Sequence, residues 1–99
     1  MRFEFEDDDS KVSISGEFTF IDHPAFKAVA TRLFERRGTP IVIDLAKLEF
    51  IDSAGLGMLL IVRDEADKAG RVLVLRGPRG QVKRMFDVTK FDTLFTVEA

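Results

Sequence analysis

A single α/β domain is predicted for this 99-residue chain: a mixed, mostly parallel sheet with helices packed on it and an N-terminal β-hairpin. Three observations carry that prediction. Apolar runs at residues 41–45 and 72–75 alternate with stretches whose apolar residues recur at helical spacing, the pattern of parallel strands joined by right-handed crossovers. Two segments of strict alternation, around Phe3/Phe5 and Val12/Ile14, flank a charged turn and read as a hairpin. The composition, 45% hydrophobic and 32% charged, is that of an ordinary globular chain with one small core.

The elements follow in order. Glu6, Asp7, Asp8, Asp9 and Ser10 separate the first two strands and cannot be core. They read as a solvated hairpin tip that discourages edge-to-edge association, with a calcium or basic-partner site as the rival reading. Residues 16–21 stay open: Phe18 and Phe20 extend the second strand or lie on a short excursion. Asp22, His23 and Pro24 then start a helix, because Pro suits its first turn and biases the residue before it to extended geometry. Phe26, Val29, Ala30, Leu33 and Phe34 share one face of it, and Lys27, Thr31, Arg32, Glu35 and Arg36 supply the wet face. Gly38 and Pro40 stop it. His23 reads as a surface residue of the helix start rather than a ligand.

Residues 41–45 (Ile-Val-Ile-Asp-Leu) predict a strand covered on both faces. A loop over 46–53 leads to a second helix over 54–69, ended by Gly70. Residues 72–75 form another buried strand, Gly77 and Pro78 break the chain, and a third helix over 81–89 turns Val82, Met85 and Phe86 inward. Residues 94–97 close the domain as a short strand. The order is β-β-α-β-α-β-α-β in one domain, 1–99.

Composition also narrows function. Fifteen basic and seventeen acidic residues leave a net charge of −2, not the basic excess of a dedicated nucleic-acid binder. Cys is absent, which excludes disulfides, a thiol nucleophile and cysteine-ligated metals; one His leaves little for a histidine metal cage. No run approaches a membrane span, and the opening residues lack the zones of a signal peptide, so a cytoplasmic setting is expected. No cofactor is expected, because no phosphate-cradling loop is visible.

The distinctive segment is Phe-Ile-Asp-Ser-Ala-Gly-Leu-Gly-Met-Leu-Leu at 50–60. Ser53 is a candidate N-cap for the second helix. Gly55 and Gly57 fall in its first turn, where small residues let another backbone or a partner approach closely. Each costs up to about 1 kcal/mol inside a helix, so the pair needs a reason. Residues 58–62 are apolar all round, which predicts a helix covered on more than one side. Enzymatic readings are weak here. The Gly-Leu-Gly lacks the rest of a dinucleotide fingerprint, and Asp52-Ser53-Ala54-Gly55 is not a nucleophile elbow. Asp44 and Asp52 read as strand-end caps rather than a carboxylate pair.

From Ile43-Asp44-Leu45 through Leu60, the segment resembles the signature of STAS domains, specifically the bacterial anti-sigma factor antagonists. The resemblance extends to Val12-Ser13-Ile14-Ser15-Gly16-Glu17 upstream. Downstream it takes in Gly70 with the strand after it, and Val82-Lys83-Arg84-Met85-Phe86-Asp87-Val88. It implies a STAS-like fold and a phosphorylation switch. The unmodified protein would bind an anti-sigma factor serine kinase and free the sigma factor; phosphorylation at Ser53 would abolish binding, and a PP2C-type serine phosphatase would reset it. The chain is then no enzyme but the substrate of two, a monomer when free, with no direct nucleic-acid or membrane partner. The residues the resemblance places at the partner surface are Asp52, Ser53, Ala54, Gly55 and Gly57, with Thr19, Asp22 and Arg63 as neighbours. Arg76, Arg79, Lys83 and Arg84 form a basic patch near the third helix.

Two departures stand out. Many relatives carry an Asp where this chain has Thr19, with Asp22 a substitute from further along. Relatives also often add a final helix beyond the last strand. The rival functions are a STAS accessory subunit of an ABC-type lipid transporter, and a STAS signalling module with a different partner.

Overall fold

Five strands make one sheet whose spatial order is the chain order: β1 (Arg2–Glu6), β2 (Lys11–Phe18), β3 (Ile41–Ile51), β4 (Leu73–Arg76) and β5 (Thr96–Glu98). The computed structural model describes residues 1–6, 10–35 and 40–99. The strands β1 and β2 pair antiparallel, with Phe3 opposite Ile14 and Phe5 opposite Val12; all other pairs are parallel. Helices α1 (His23–Glu35), α2 (Ser53–Lys68) and α3 (Gly80–Thr89) make the three crossovers. The predicted element order and the hairpin are therefore present. The acidic residues 7–9 and the helix stop at Gly38 lie outside the described residues.

Strand order settles which face is covered. Right-handed crossovers between strands laid down in sequence all pass over the same side of the sheet. On that side Val12, Ile14, Ile41, Ile43, Leu45 and Leu75 are fully buried, in one core with Phe26, Leu33, Leu59 and Phe86. The other side carries a polar row fixed by register: Glu4, Ser13, Asp44, Arg76 and Glu98 lie side by side across the five strands. The expectation that 41–45 is covered on both faces is thus corrected; Val42 and Asp44 are only half-buried. Arg76 belongs to this row and pairs with Glu98 at 3.0 Å, so it is not part of a patch on α3.

The predicted loop over 46–53 is also corrected. Parallel pairing with β2 continues to Phe18 opposite Ile51, so β3 runs to Ile51. Register shifts after Ser13 and Gly16 break the alternation, and the buried positions become Leu45, Leu48 and Ile51. A spacing of three hides a strand from a period-two search. Smaller corrections concern the ends. Phe18 is the buried last residue of β2, whereas Phe20 opens an exposed 3-10 turn, Phe20–Asp22. Val72 is exposed before β4, and a 3-10 turn at Phe91–Thr93 delays the last strand to Thr96. Phe86, Phe91 and Phe95 stack under that turn, with ring centroids 5.3 and 5.0 Å apart. As expected, α2 is covered on more than one side, packing on β3 and α1 through Met58, Leu59 and Val62, and it leaves Ile61 55% exposed.

Candidate functional site: the corner between β3 and α2

The distinctive segment sits where β2 and β3 end, outside the carboxyl ends of parallel strands, the position from which α/β sheets commonly present binding groups. Asp52 makes the corner. Its backbone is extended (φ −100°, ψ −179°), and its N–H donates to the Phe18 carbonyl at 3.2 Å, prolonging the β2–β3 pairing by one residue. Its Oδ1 accepts the Gly55 N–H at 2.8 Å, and its Oδ2 accepts the Phe20 N–H at 3.2 Å. One carboxylate therefore caps α2 and ties the 3-10 turn to it.

Asp52, not Ser53, is the N-cap. The reason is geometric: a capping residue has extended φ/ψ and reaches two or three residues ahead, and only Asp52 does so here. Ser53 is the first helical residue. It is exposed, and its hydroxyl has no hydrogen-bond partner among the described residues. Two of the first four amides of α2 are used by Asp52: Gly55 by the carboxylate and Leu56 by the backbone carbonyl at 3.1 Å. Those of Ser53 and Ala54 precede the intrahelical ladder.

The two glycines differ. A Cβ on Gly55 would lie 2.7 Å from the Phe18 carbonyl oxygen and 2.7 Å from Ile51 Cγ1, so the turn rests directly on the ends of β2 and β3. A Cβ on Gly57 would meet nothing within 4 Å. The close approach expected of another backbone is made within the chain at Gly55, whereas Gly57 borders open space one turn from Ser53 on the same face.

The remaining candidates divide. Thr19 and Asp22 brace the 3-10 turn: the Thr19 N–H donates to Asp22 Oδ2 at 2.8 Å, and the Met1 amino group pairs with Asp22 Oδ1 at 3.1 Å. Both Asp22 carboxylate oxygens are thereby engaged by Thr19 and Met1. Arg63 lies about 15 Å further along α2, held by Asp64 at 3.5 Å and Asp67 at 4.0 Å. The corner brings together Asp52, Ser53, Ala54, Gly55 and Gly57 but not Arg63.

Sequence reasoning missed two parts of this corner. Phe20 and Ile21, 69% and 72% exposed, stand on the turn whose first amide Asp52 holds. Exposed apolar neighbours in a chain with ten Phe could have been found only by asking which of them lack a helical or strand partner. The other is Gln81, whose carboxamide accepts the Ile51 N–H and donates to the Ile51 carbonyl, both at 2.9 Å. Nothing in the sequence marks a single Gln as a backbone partner.

Among the described residues no group of acidic or histidine side chains has metal-binding geometry, and no helix is long and apolar enough to cross a membrane. The family model described as Mlab, STAS domain, matches residues 1–97. A STAS-domain containing protein of Pseudomonas aeruginosa is 31% identical over 88 residues, 87% of this chain and 84% of that protein. BtrV of Bordetella bronchiseptica, which carries the name of an anti-sigma factor antagonist, is 35% identical over 63 residues, 64% of this chain and 52% of BtrV. The crystal structure of an anti-sigma factor antagonist from Mycobacterium paratuberculosis superposes with a TM-score of 0.78 at 29% identity, covering 98% of this chain and 84% of that one. With the mixed sheet, the three crossover helices and the Asp-Ser corner all in place, the chain belongs to the STAS domain family.

Proposed function

We propose that this domain is a phosphorylation-controlled protein-binding switch: unmodified, it binds an anti-sigma factor serine kinase and frees a sigma factor, and phosphate on Ser53 ends that binding. The observation that carries the reading is the division of labour at the corner. Asp52 holds the cap, so the exposed Ser53 hydroxyl is free of structural duty and can be modified without uncapping the helix. A phosphate there adds roughly −1.5 to −2 charge at a helix N-terminus that favours an anion by about 0.3–1 kcal/mol. The fold tolerates it. A partner surface shaped for a neutral hydroxyl beside Asp52 meets two like charges instead, and affinity falls.

The surface around Ser53 suits a transient partner. Phe20 and Ile21 offer apolar area, and Gly57 leaves room beside the hydroxyl for another backbone. Two such side chains expose far less than the roughly 800 Å² per partner of a stable interface, which fits a contact made and broken in a signalling cycle. A PP2C-type phosphatase completes the cycle by removing the phosphate.

The test is to incubate the protein and Ser53→Ala with ATP and the serine kinase encoded nearest to it, then weigh the intact chains. One phosphate on the wild type, none on the variant, and kinase binding lost on modification are expected. A wild type left unmodified, or a phosphorylated form that binds the kinase equally well, overturns the reading. The first outcome would favour the transporter-subunit alternative.

A further inference from the structure

Strand β4 pairs with β3 only from Ile41 to Asp44, yet β3 continues to Ile51. Along a parallel strand, the N–H and C=O of one residue point to the same side and those of the next residue to the other. The Asp52 N–H points to β2, where Phe18 accepts it. The N–H and C=O of Ile51 therefore point away from β2, toward the place a longer β4 would occupy. Gln81, in the first turn of α3, fills that place: its Oε1 accepts from the Ile51 N–H and its Nε2 donates to the Ile51 carbonyl, each at 2.9 Å. One carboxamide makes both hydrogen bonds that a longer β4 would make to Ile51.

Resting on the functional reading above, we propose that Gln81 is a positioning residue for Ser53. The corner has two supports. On one side Asp52 fastens it to β2 and the 3-10 turn; on the other Gln81 fastens the preceding residue to α3. With Gln81 in place, the end of β3 has one direction, and the first turn of α2 presents the hydroxyl at one angle to a docked kinase. Without it, Ile51 has two backbone groups to satisfy and the corner samples more than one exit. The docking surface itself, Phe20 and Ile21, is on the other support and stays as it is. The effect therefore falls on phosphate transfer rather than on binding.

Gln81→Met keeps the length and removes both bonds. Phe86→Leu, a buried change five residues beyond Gln81 on the same helix that leaves the Gln81–Ile51 hydrogen bonds in place, serves as the control for lost stability. Two measurements apply: amide hydrogen exchange at Asp52 and Gly55 relative to Ile43, and the KM and kcat of Ser53 phosphorylation well below each variant's melting temperature. In Gln81→Met we expect exchange at Asp52 and Gly55 to rise about ten-fold, and kcat to fall about ten-fold with KM nearly unchanged. In Phe86→Leu the melting temperature falls while kcat and the relative exchange hold. Unchanged relative exchange in Gln81→Met, or an equal loss of kcat in Phe86→Leu, overturns the inference. A wild type that takes up no phosphate overturns the functional reading instead, and the exchange result then decides the role of Gln81 by itself.

Discussion

Gly55 and Gly57 stand two residues apart in the same helical turn, and their surroundings are opposite. Gly55 is wedged against the Phe18 carbonyl and Ile51, with no space for a methyl group; Gly57 faces nothing. The inner side of this turn serves the fold, by letting α2 settle on the strand ends. The outer side accepts a glycine's cost with no gain inside the chain. A residue that costs up to about 1 kcal/mol relative to Ala and packs against nothing points to a requirement outside the folded monomer. A helix can thus be structural on one side and reserved for a partner on the other within a single turn.

The comparison breaks first at Gly55. Gly55→Ala forces a methyl group into a backbone carbonyl, which cannot swing away as a side chain would. We expect a loss of about 2 kcal/mol or more in urea unfolding, despite the better helix propensity of Ala. A neutral result would mean the turn is free to lift off the sheet. The next effect in size is at Asp52. Asp52→Ala removes the cap and the hold on Phe20 together, for about 1–1.5 kcal/mol, with faster amide exchange at Gly55 and Phe20. Asp52→Asn keeps one acceptor for the cap but turns its NH2 on the other N–H, so it should restore only part of the stability. The smallest change has the opposite sign. Gly57→Ala should stabilise the fold by about 0.5–1 kcal/mol, raising the melting temperature by several degrees, while slowing phosphorylation of Ser53 by crowding the approach to it. If Gly57→Ala stabilised the domain and left phosphorylation untouched, the outer side would have no partner-facing role.

Much of this molecule was legible in the residues. The hairpin of Phe3, Phe5, Val12 and Ile14 was written in strict alternation, and the helix faces of Phe26, Val29 and Leu33 in helical spacing, because local periodicity mirrors which side of an element meets the core. The segment at 50–60 stood out for glycines in a place where helices avoid them. What the residues did not disclose shares one cause. The second half of β3 was invisible because register shifts against β2 alter its burial period, and register belongs to a pair of strands rather than to either one. The cap was misassigned by one residue because Asp and Ser are nearly equal as caps, and only the pull of the Phe18 and Phe20 backbones selects Asp52.

By itself, then, the sequence determined the element order, the single α/β domain, the core-facing sides of the helices and the segment where function concentrates. Each of these depends on interactions a few residues apart. The tertiary structure alone decided that the sheet has one polar open face, that Asp52 caps while Ser53 stays exposed, that Gly55 is jammed and Gly57 free, and that Gln81 supports Ile51 from thirty residues away. These are contacts between segments distant in the chain, set by strand order and register, and no local pattern encodes them.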